Sequence, residues 1–451
     1  MRERTELAVP IGRELGDEDV AVLRWAIDHG LKETDSWEGY EVSEQYTLKS
    51  LRYQLNWIQW SLALAHAAAT PAYSGVSEIA QRNLISRMTR PEVWSYWRKE
   101  NLWGNLRNGD DPIGVDNIMF SGYLLAMLGS YRVSTGSTRF VTDGALTFGR
   151  HSYSEPTVAA AVQRNLQRSP YTLFACEPGL IFPLCNSVAM AGLSMTDPDA
   201  AARIWPSFHR QLVTEFTFTD GLIPFFTWTR GGASTYASRS PSNTAVVGSM
   251  LSSIAPDFAD RMQQRLFGRG ADLPTAEYAP RGTDWGTGKR SHVTDLAFIA
   301  MLAGANGDTE LHDATVARAG ELLELTTVNG VAAYEAASVT GNGMLAVARF
   351  SRNRGWQRLA DGIAHDGPRL ADAAYPDVRV NAATSDGTAL HLRLRSGGDA
   401  TLQKLRLVGL EPNQTYILDG RSTFESGADG AATVQVKLRS STSSHTVSPR
   451  K

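Results

Sequence analysis

Cysteine is almost absent from this chain: it holds two in 451 residues, Cys176 and Cys185. Two cysteines build no disulfide framework. A pair of free thiols and a single Cys176–Cys185 bridge both fit. Surplus positive charge is missing too. A net charge of −3 leaves no patch for nucleic acid or another polyanion. No stretch of about 18 apolar residues exists, so no membrane span is expected. The N-terminal stretch mixes acids and arginines without an apolar run. No secretory signal is expected there, and a cytoplasmic location follows. The phosphate-binding G-x-x-x-x-G-K-[ST], the zinc-binding H-E-x-x-H and the nucleophile motif G-x-S-x-G are all missing. The nine histidines are scattered without ligand spacing. No nucleotide, metal or other cofactor is expected, and no α/β-hydrolase site.

What the chain does have is apolar helix. Hydrophobic residues make up 42% and charged residues 20%, the balance of a globular protein with a large core. From about residue 17 to 350 the apolar spacing of three and four predicts helices. They cover Asp17–Asp28, Ser43–Ala69, Ser77–Met88, Asn117–Thr135, Thr157–Gln167, Asn186–Met195, Asp197–Phe216, Ser242–Ser253, Ala255–Phe267, Ser291–Ala305 and Thr309–Thr327. Consecutive helix pairs with long, chemically rich loops predict an (α/α)6 barrel, a toroid whose inner-helix ends surround a cavity. After Tyr334 the pattern changes. Thr388–Arg395, Leu405–Val408, Thr415–Leu418 and Ala432–Leu438 alternate with period two between turn residues, which predicts strands. The expected organisation is a barrel domain over 1–350, a small C-terminal β-sandwich over 376–440 and a disordered polar tail over 441–451.

Several loops carry candidate chemistry. Both cysteines fall in Cys176-Glu177-Pro178-Gly179-Leu180-Ile181-Phe182-Pro183-Leu184-Cys185-Asn186, which runs into a helix. Helix N-termini lower a thiol's pKa, and Glu177 is placed to share a proton with either thiol. Asp35-Ser36-Trp37-Glu38-Gly39-Tyr40 sets a carboxylate among aromatics, which suits a desolvated acid or base. Tyr123 lies one turn into the most apolar helix. The Trp228–Tyr236 loop has a glycine pair and an aromatic tip, and Asp284-Trp285-Gly286 is a weaker relative. The 11 tryptophans, 14 tyrosines and 15 phenylalanines fall mostly before residue 290. Ring faces stabilise a cation through their quadrupole.

The cysteine segment resembles that of the bacterial linalool dehydratase-isomerase family. Arg52-Tyr53-Gln54-Leu55-Asn56, Thr70-Pro71-Ala72-Tyr73 and Asp116-Asn117-Ile118-Met119-Phe120-Ser121-Gly122 are similar to it as well. The resemblance covers about residues 20–350 and stops before the strands. It implies an (α/α)6 barrel, often a ring of subunits and hence a homo-oligomer, that binds isoprenoid alcohols without cofactor. It implies acid-base chemistry: protonation of a hydroxyl, loss of water, then removal of a proton. Carried over, the family's cysteines match Cys176 and Cys185, its early aspartate matches Asp35 with Tyr40 as partner, and a cavity tyrosine matches Tyr236. Together with the loops read above, the expected catalytic residues are Asp35, Tyr40, Cys176, Glu177 and Cys185. The substrate-binding residues are Trp37, Tyr123, Phe182, Tyr236 and Trp285. Tyr123 stands where the family has a histidine, so the proton relay should differ.

The leading expectation is a terpenoid lyase or isomerase, or an acid-base cyclase, working through a carbocation. A toroid followed by a β-sandwich also describes glycoside hydrolases and polysaccharide lyases. Those need two carboxylates across a cleft, and Asp35 and Asp284 are the candidates. A non-catalytic helical scaffold with a binding module is the third reading.

Overall fold

The computed structural model describes residues 14–42, 51–229, 240–267, 282–399 and 401–450. In chain order the elements are α1 (Asp17–Leu31), α2 (Leu51–Ala69), α3 (Gly75–Met88), α4 (Pro91–Trp94), α5 (Tyr96–Asn105), α6 (Ile118–Thr135), β1 (Leu146–Phe148), β2 (His151–Tyr153) and α7 (Glu155–Arg168). Next come β3 (Leu180–Ile181), α8 (Pro183–Thr196), α9 (Pro198–Glu215), β4 (Thr227–Trp228), α10 (Pro241–Leu251), α11 (Pro256–Phe267), α12 (Val293–Asn306), α13 (Thr309–Leu322), β5 (Leu325–Val328), β6 (Val331–Tyr334), α14 (Val339–Phe350) and α15 (Gly355–Asp361). The C-terminal strands are β7 (Arg369–Ala373), β8 (Val378–Ser385), β9 (Leu390–Ser396), β10 (Thr401–Val408), β11 (Thr415–Leu418), β12 (Ser422–Glu425), β13 (Ala432–Leu438) and β14 (Ser443–Pro449). Among the described residues no helix is long and apolar enough to cross a membrane.

Six helices are buried almost all round and pack in cyclic order: α2 on α6, α6 on α8, α8 on α10, α10 on α12, α12 on α14, and α14 back on α2. Outside them lie the amphipathic α1, α3, α7, α9, α11 and α13, each against its inner neighbours. Because an outer helix returns the chain each time, the inner helices all start at one end. At the other end α15 lies across α2, α6, α8 and α12, with Trp356 fully buried against Trp60 at 5.9 Å between ring centroids. A cleft of about 1380 Å³ opens between that plugged end and the strands.

Local chemistry explains many of the boundaries. The helices α4, α8, α9, α10 and α11 each open on a proline, whose fixed φ suits a first turn that needs no N–H partner. One expected helix is too long. Thr309–Thr327 ends at Leu322, because Glu324 takes a positive φ of 56° and turns the chain into the β5–β6 hairpin. The period gave no sign of α14 either. Its glycines read as loop, yet a Cβ on Gly343 would lie 2.8 Å from that of Trp57, so the small residue lets α14 close on α2.

The strands form two antiparallel sheets, ordered β13-β10-β7 and β12-β11-β14-β9-β8, with one core between them. They begin at Arg369, ahead of the expected 376. Ala72 and Tyr73, just past α2, pack into that core, and Ala72 exchanges backbone hydrogen bonds with Leu370 and Ala383. The expected disordered tail is corrected. Ser443–Pro449 is a strand between β9 and β11, and Val447 is fully buried. Serine and threonine on its outer face disguise it, while the inward face meets Leu390, Leu392 and Leu394. Val447→Asp would place a charge in that core, at a cost of about 3 kcal/mol or more. The expected result is a clearly lower thermal unfolding midpoint of the β-domain. An unchanged midpoint would mean the segment is not part of the sheet.

Candidate active site

The cysteine segment is held at the end where the inner helix α8 begins. Glu177-Pro178-Gly179-Leu180 makes a tight turn: Pro178 sits at its second position and Gly179, at φ +79°, at its third. The turn is closed by Leu180 N–H donating to the Glu177 carbonyl at 2.9 Å. Beyond it β3 pairs with β4, which fixes the segment against the 227–228 stretch. Asn186 completes the frame. Its amide donates to the carbonyls of Phe174 at 3.1 Å and Phe182 at 3.0 Å, and its oxygen accepts from Phe174 N–H at 2.9 Å. This folds Cys176 back onto the first turn of α8. The two sulfurs end 3.1 Å apart, with both thiols free and buried.

Tyr123 reaches the same point from α6. Here α6 and α8 lie very close, since a Cβ on Gly122 would sit 2.7 Å from that of Ala189, and one on Gly192 would sit 2.8 Å from the Ala126 nitrogen. The Tyr123 phenol faces Cys185, which adds to the upward push that burial gives it. Tyr53 on α2 packs on Tyr123 at 5.8 Å and on Trp285 at 6.0 Å between centroids. From Trp285 the rings continue through Phe225 at 6.3 Å to Phe182, a further 5.4 Å away. Tyr123, Phe182 and Trp285 thus come together with both thiols.

Burial decides the protonation states. It pushes the Cys176 thiol well up, reinforced by Cys185 and Glu177 and opposed by Arg52. Cys176 lies before the turn, not at the start of α8, and desolvation dominates there. Burial also raises the Tyr123 and Tyr53 phenols. Arg52 is fully buried, its guanidinium 4.5 Å over the ring of Tyr53 and 4.5 Å over that of Tyr96. It donates to the Tyr53 hydroxyl at 3.4 Å and to the Met119 sulfur at 3.2 Å. The Tyr96 hydroxyl donates to Asn117 at 3.0 Å, ahead of α6.

Two carboxyls face this guanidinium. Burial raises Glu177, with Arg52 pulling it back. Glu100 on α5 is only 4% exposed, and burial pushes it up to about 7, against Arg52 and with help from Glu177. Neither Glu100 oxygen accepts a hydrogen bond from a described residue. Arg52, Tyr53, Tyr96 and Glu100 were missed as site residues, because they come from α2 and α5, far from the cysteines in sequence. The apolar stretch holding Arg52 was the available signal: a cation there needs partners.

The aspartate loop lies elsewhere. Asp35 is exposed on the turn after α1. It is not among the groups acting on Cys176 or Tyr123. Tyr40 is buried with its hydroxyl donating to the His29 carbonyl at 2.8 Å. Trp37 packs on Tyr40 at 5.7 Å, and Arg87 lies 4.9 Å over the Tyr40 ring. The acid of this loop that turns inward is Glu41, whose Oε2 would lie 2.9 Å from a Cβ on Gly286. Asp284 is buried and anchors α14. It accepts from Gly286 N–H at 2.8 Å, from Ser338 N–H at 2.7 Å and from the Ser338 hydroxyl. Tyr236 lies outside the described residues.

The titration of Glu100 gives a stability test. Its folded pKa is raised from 4.5 to about 7. Its contribution is therefore fully present below about 4.5 and lost as pH rises through about 7. Compared with Glu100→Gln, the wild-type protein should lose unfolding free energy between about pH 4.5 and 7, with the loss complete above about 7. Parallel pH curves for the two proteins would contradict the assignment.

With this geometry in view, a family model described as linalool dehydratase/isomerase matches residues 52–340. Among solved structures, the chain is similar to an inactive variant of the alpha-1,6-mannanase of Salegentibacter sp. HEL1_6. The identity is 12%, over 74% of this chain and 99% of that one, with a TM-score of 0.47. It is also similar to an unsaturated glucuronyl hydrolase specific for heparin, at 9% identity over 77% of this chain and 98% of that one, with a TM-score of 0.46.

Proposed function

The chain belongs to the linalool dehydratase/isomerase family, and from that premise we propose that it is a cofactor-independent lyase or isomerase of an isoprenoid alcohol. We read its cyclic helix packing as an (α/α)6 barrel, with the reaction at the end where the inner helices begin. The observation that carries the proposal is the buried thiol pair, 3.1 Å apart, beside a wall of rings. A neutral thiol can give a proton to a hydroxyl and, as thiolate, take one from carbon. Water leaves when the C–O bond breaks, and the electron-poor carbon is left facing Tyr53, Tyr123 and Trp285. Loss of a neighbouring C–H proton to the thiolate restores the thiol and yields the alkene. Exclusion of bulk water keeps the cation from being recaptured.

The carboxyls set the field. Burial raises both carboxyls that face Arg52, Glu100 to about 7, so a proton moves on and off Glu100 at ordinary pH. That makes it a proton store behind the thiols. The phenol of Tyr123, in the family histidine's place, stands beside Cys185 as a neutral group. We also propose self-association. Trp103 and Leu106 are 83% and 87% exposed on and just after α5, next to the Pro178 turn that Gly104 touches, and a patch of that kind marks an interaction site.

Incubation with C10 to C20 isoprenyl alcohols, followed by mass analysis of volatile products, tests the reading. Cys176→Ala and Cys185→Ala should each lower product formation by about 100-fold or more while the fold is kept. Undiminished product from both variants, or release of reducing sugar from polysaccharide instead, would overturn it.

A further inference from the structure

The β-domain carries a second set of reactive groups, away from the thiols. Ser443, His445 and Val447 lie on one face of β14, and Val447 belongs to the core between the sheets. A serine and a histidine on a core-facing line must find polar partners. They do so in a particular order. His445 Nδ1 lies 2.9 Å from Asp419 Oδ2, and His445 Nε2 lies 3.0 Å from Ser443 Oγ. Asp419 is fixed in turn by β14 itself. Its Oδ1 accepts Thr446 N–H at 2.9 Å, and its own N–H donates to the Thr446 carbonyl at 2.9 Å. With the aspartate holding the proton on Nδ1, the Nε2 lone pair faces the serine hydroxyl, which also donates to the Leu394 carbonyl at 3.1 Å.

The serine is not sealed in. It lines a cavity of about 490 Å³ at the mouth between the two sheets, shared with Asp419, His445, Arg421, Lys437 and Arg439. Asp419 is the only acid in that lining, against three cations. A purely structural hydrogen-bond network would need neither the opening nor the cationic rim.

We propose that Ser443, His445 and Asp419 form a second catalytic site, a serine esterase acting on carboxylic esters that bear a negative charge. A triad is recognised by geometry and roles rather than by sequence order or motif. Ser443 Oγ attacks the ester carbonyl carbon while His445 Nε2 takes its proton. The C–O bond to the alcohol breaks as Nε2 returns that proton to the leaving oxygen. Water then attacks the acyl-serine by the same proton path and releases the acid. The net change is ester plus water to acid plus alcohol. The cations of the rim oppose the charge that develops on the carbonyl oxygen and hold the substrate's own anion.

Treatment of the full-length protein with a fluorophosphonate, followed by peptide mass mapping, tests this without any substitution. A single adduct on Ser443 is expected. With 4-nitrophenyl esters, hemisuccinate should be hydrolysed faster than acetate. Ser443→Ala and His445→Gln should abolish both labelling and hydrolysis, and Asp419→Asn should lower hydrolysis by about 100-fold or more. Product formation from isoprenyl alcohols should be unaffected by Ser443→Ala, which separates the two sites. No adduct at Ser443 in the folded wild-type protein, or labelling undiminished by His445→Gln, would overturn the proposal.

Discussion

The close approach of α6 to α8 is the constraint on which the site depends. Gly122 and Gly192 remove the side chains that would hold the two helices apart. Only at that distance does a tyrosine on one helix touch a cysteine on the other. Asn186 then ties the start of α8 to residue 174, which returns Cys176 to Cys185. The far end of the helical ring is filled by α15 and Trp356. That leaves the end where the inner helices begin for the proposed chemistry, over a floor of buried side chains.

Burial sets the electrostatics. Full burial of an ion costs several kcal/mol. Desolvation therefore wins at Cys176, and the thiol stays protonated. The same term raises Glu100 into the neutral range. Arg52 remains charged because two aromatic faces and nearby carboxyls receive it. The cluster pairs a permanent cation with Glu100, which exchanges a proton near pH 7, and this suits acid-base chemistry.

Much of the cysteine loop was legible because its signals are local. A Pro-Gly turn, two cysteines nine residues apart and an asparagine at a helix start are read within a dozen residues. The starts of α9, α10 and α11 were legible to within a residue, at Asp197, Ser242 and Ala255 against Pro198, Pro241 and Pro256, while α8 begins three residues before the expected Asn186. What could not be read was proximity across the fold. Arg52 and Glu100 join Cys176 only because α2, α5 and the turn converge. Asp35 has an aromatic neighbourhood in sequence, yet sequence adjacency does not bury a turn. β14 was hidden by a polar face, and its partners β9 and β11 lie far back along the chain. The triad geometry in the β-domain was invisible as well, since Asp419 is brought to Ser443 and His445 by strand pairing alone.

The central claim is that Cys176 is a buried, neutral thiol poised to transfer its proton. The most direct measurement is the S–H stretching band of the Cys185→Ala protein, where Cys176 is the sole thiol, followed by infrared spectroscopy with rising pH. The band should persist through about pH 9, above the range where a free cysteine ionises. It should shift when an isoprenyl alcohol is added. A band that is already lost near neutral pH would show a thiolate there and contradict the account.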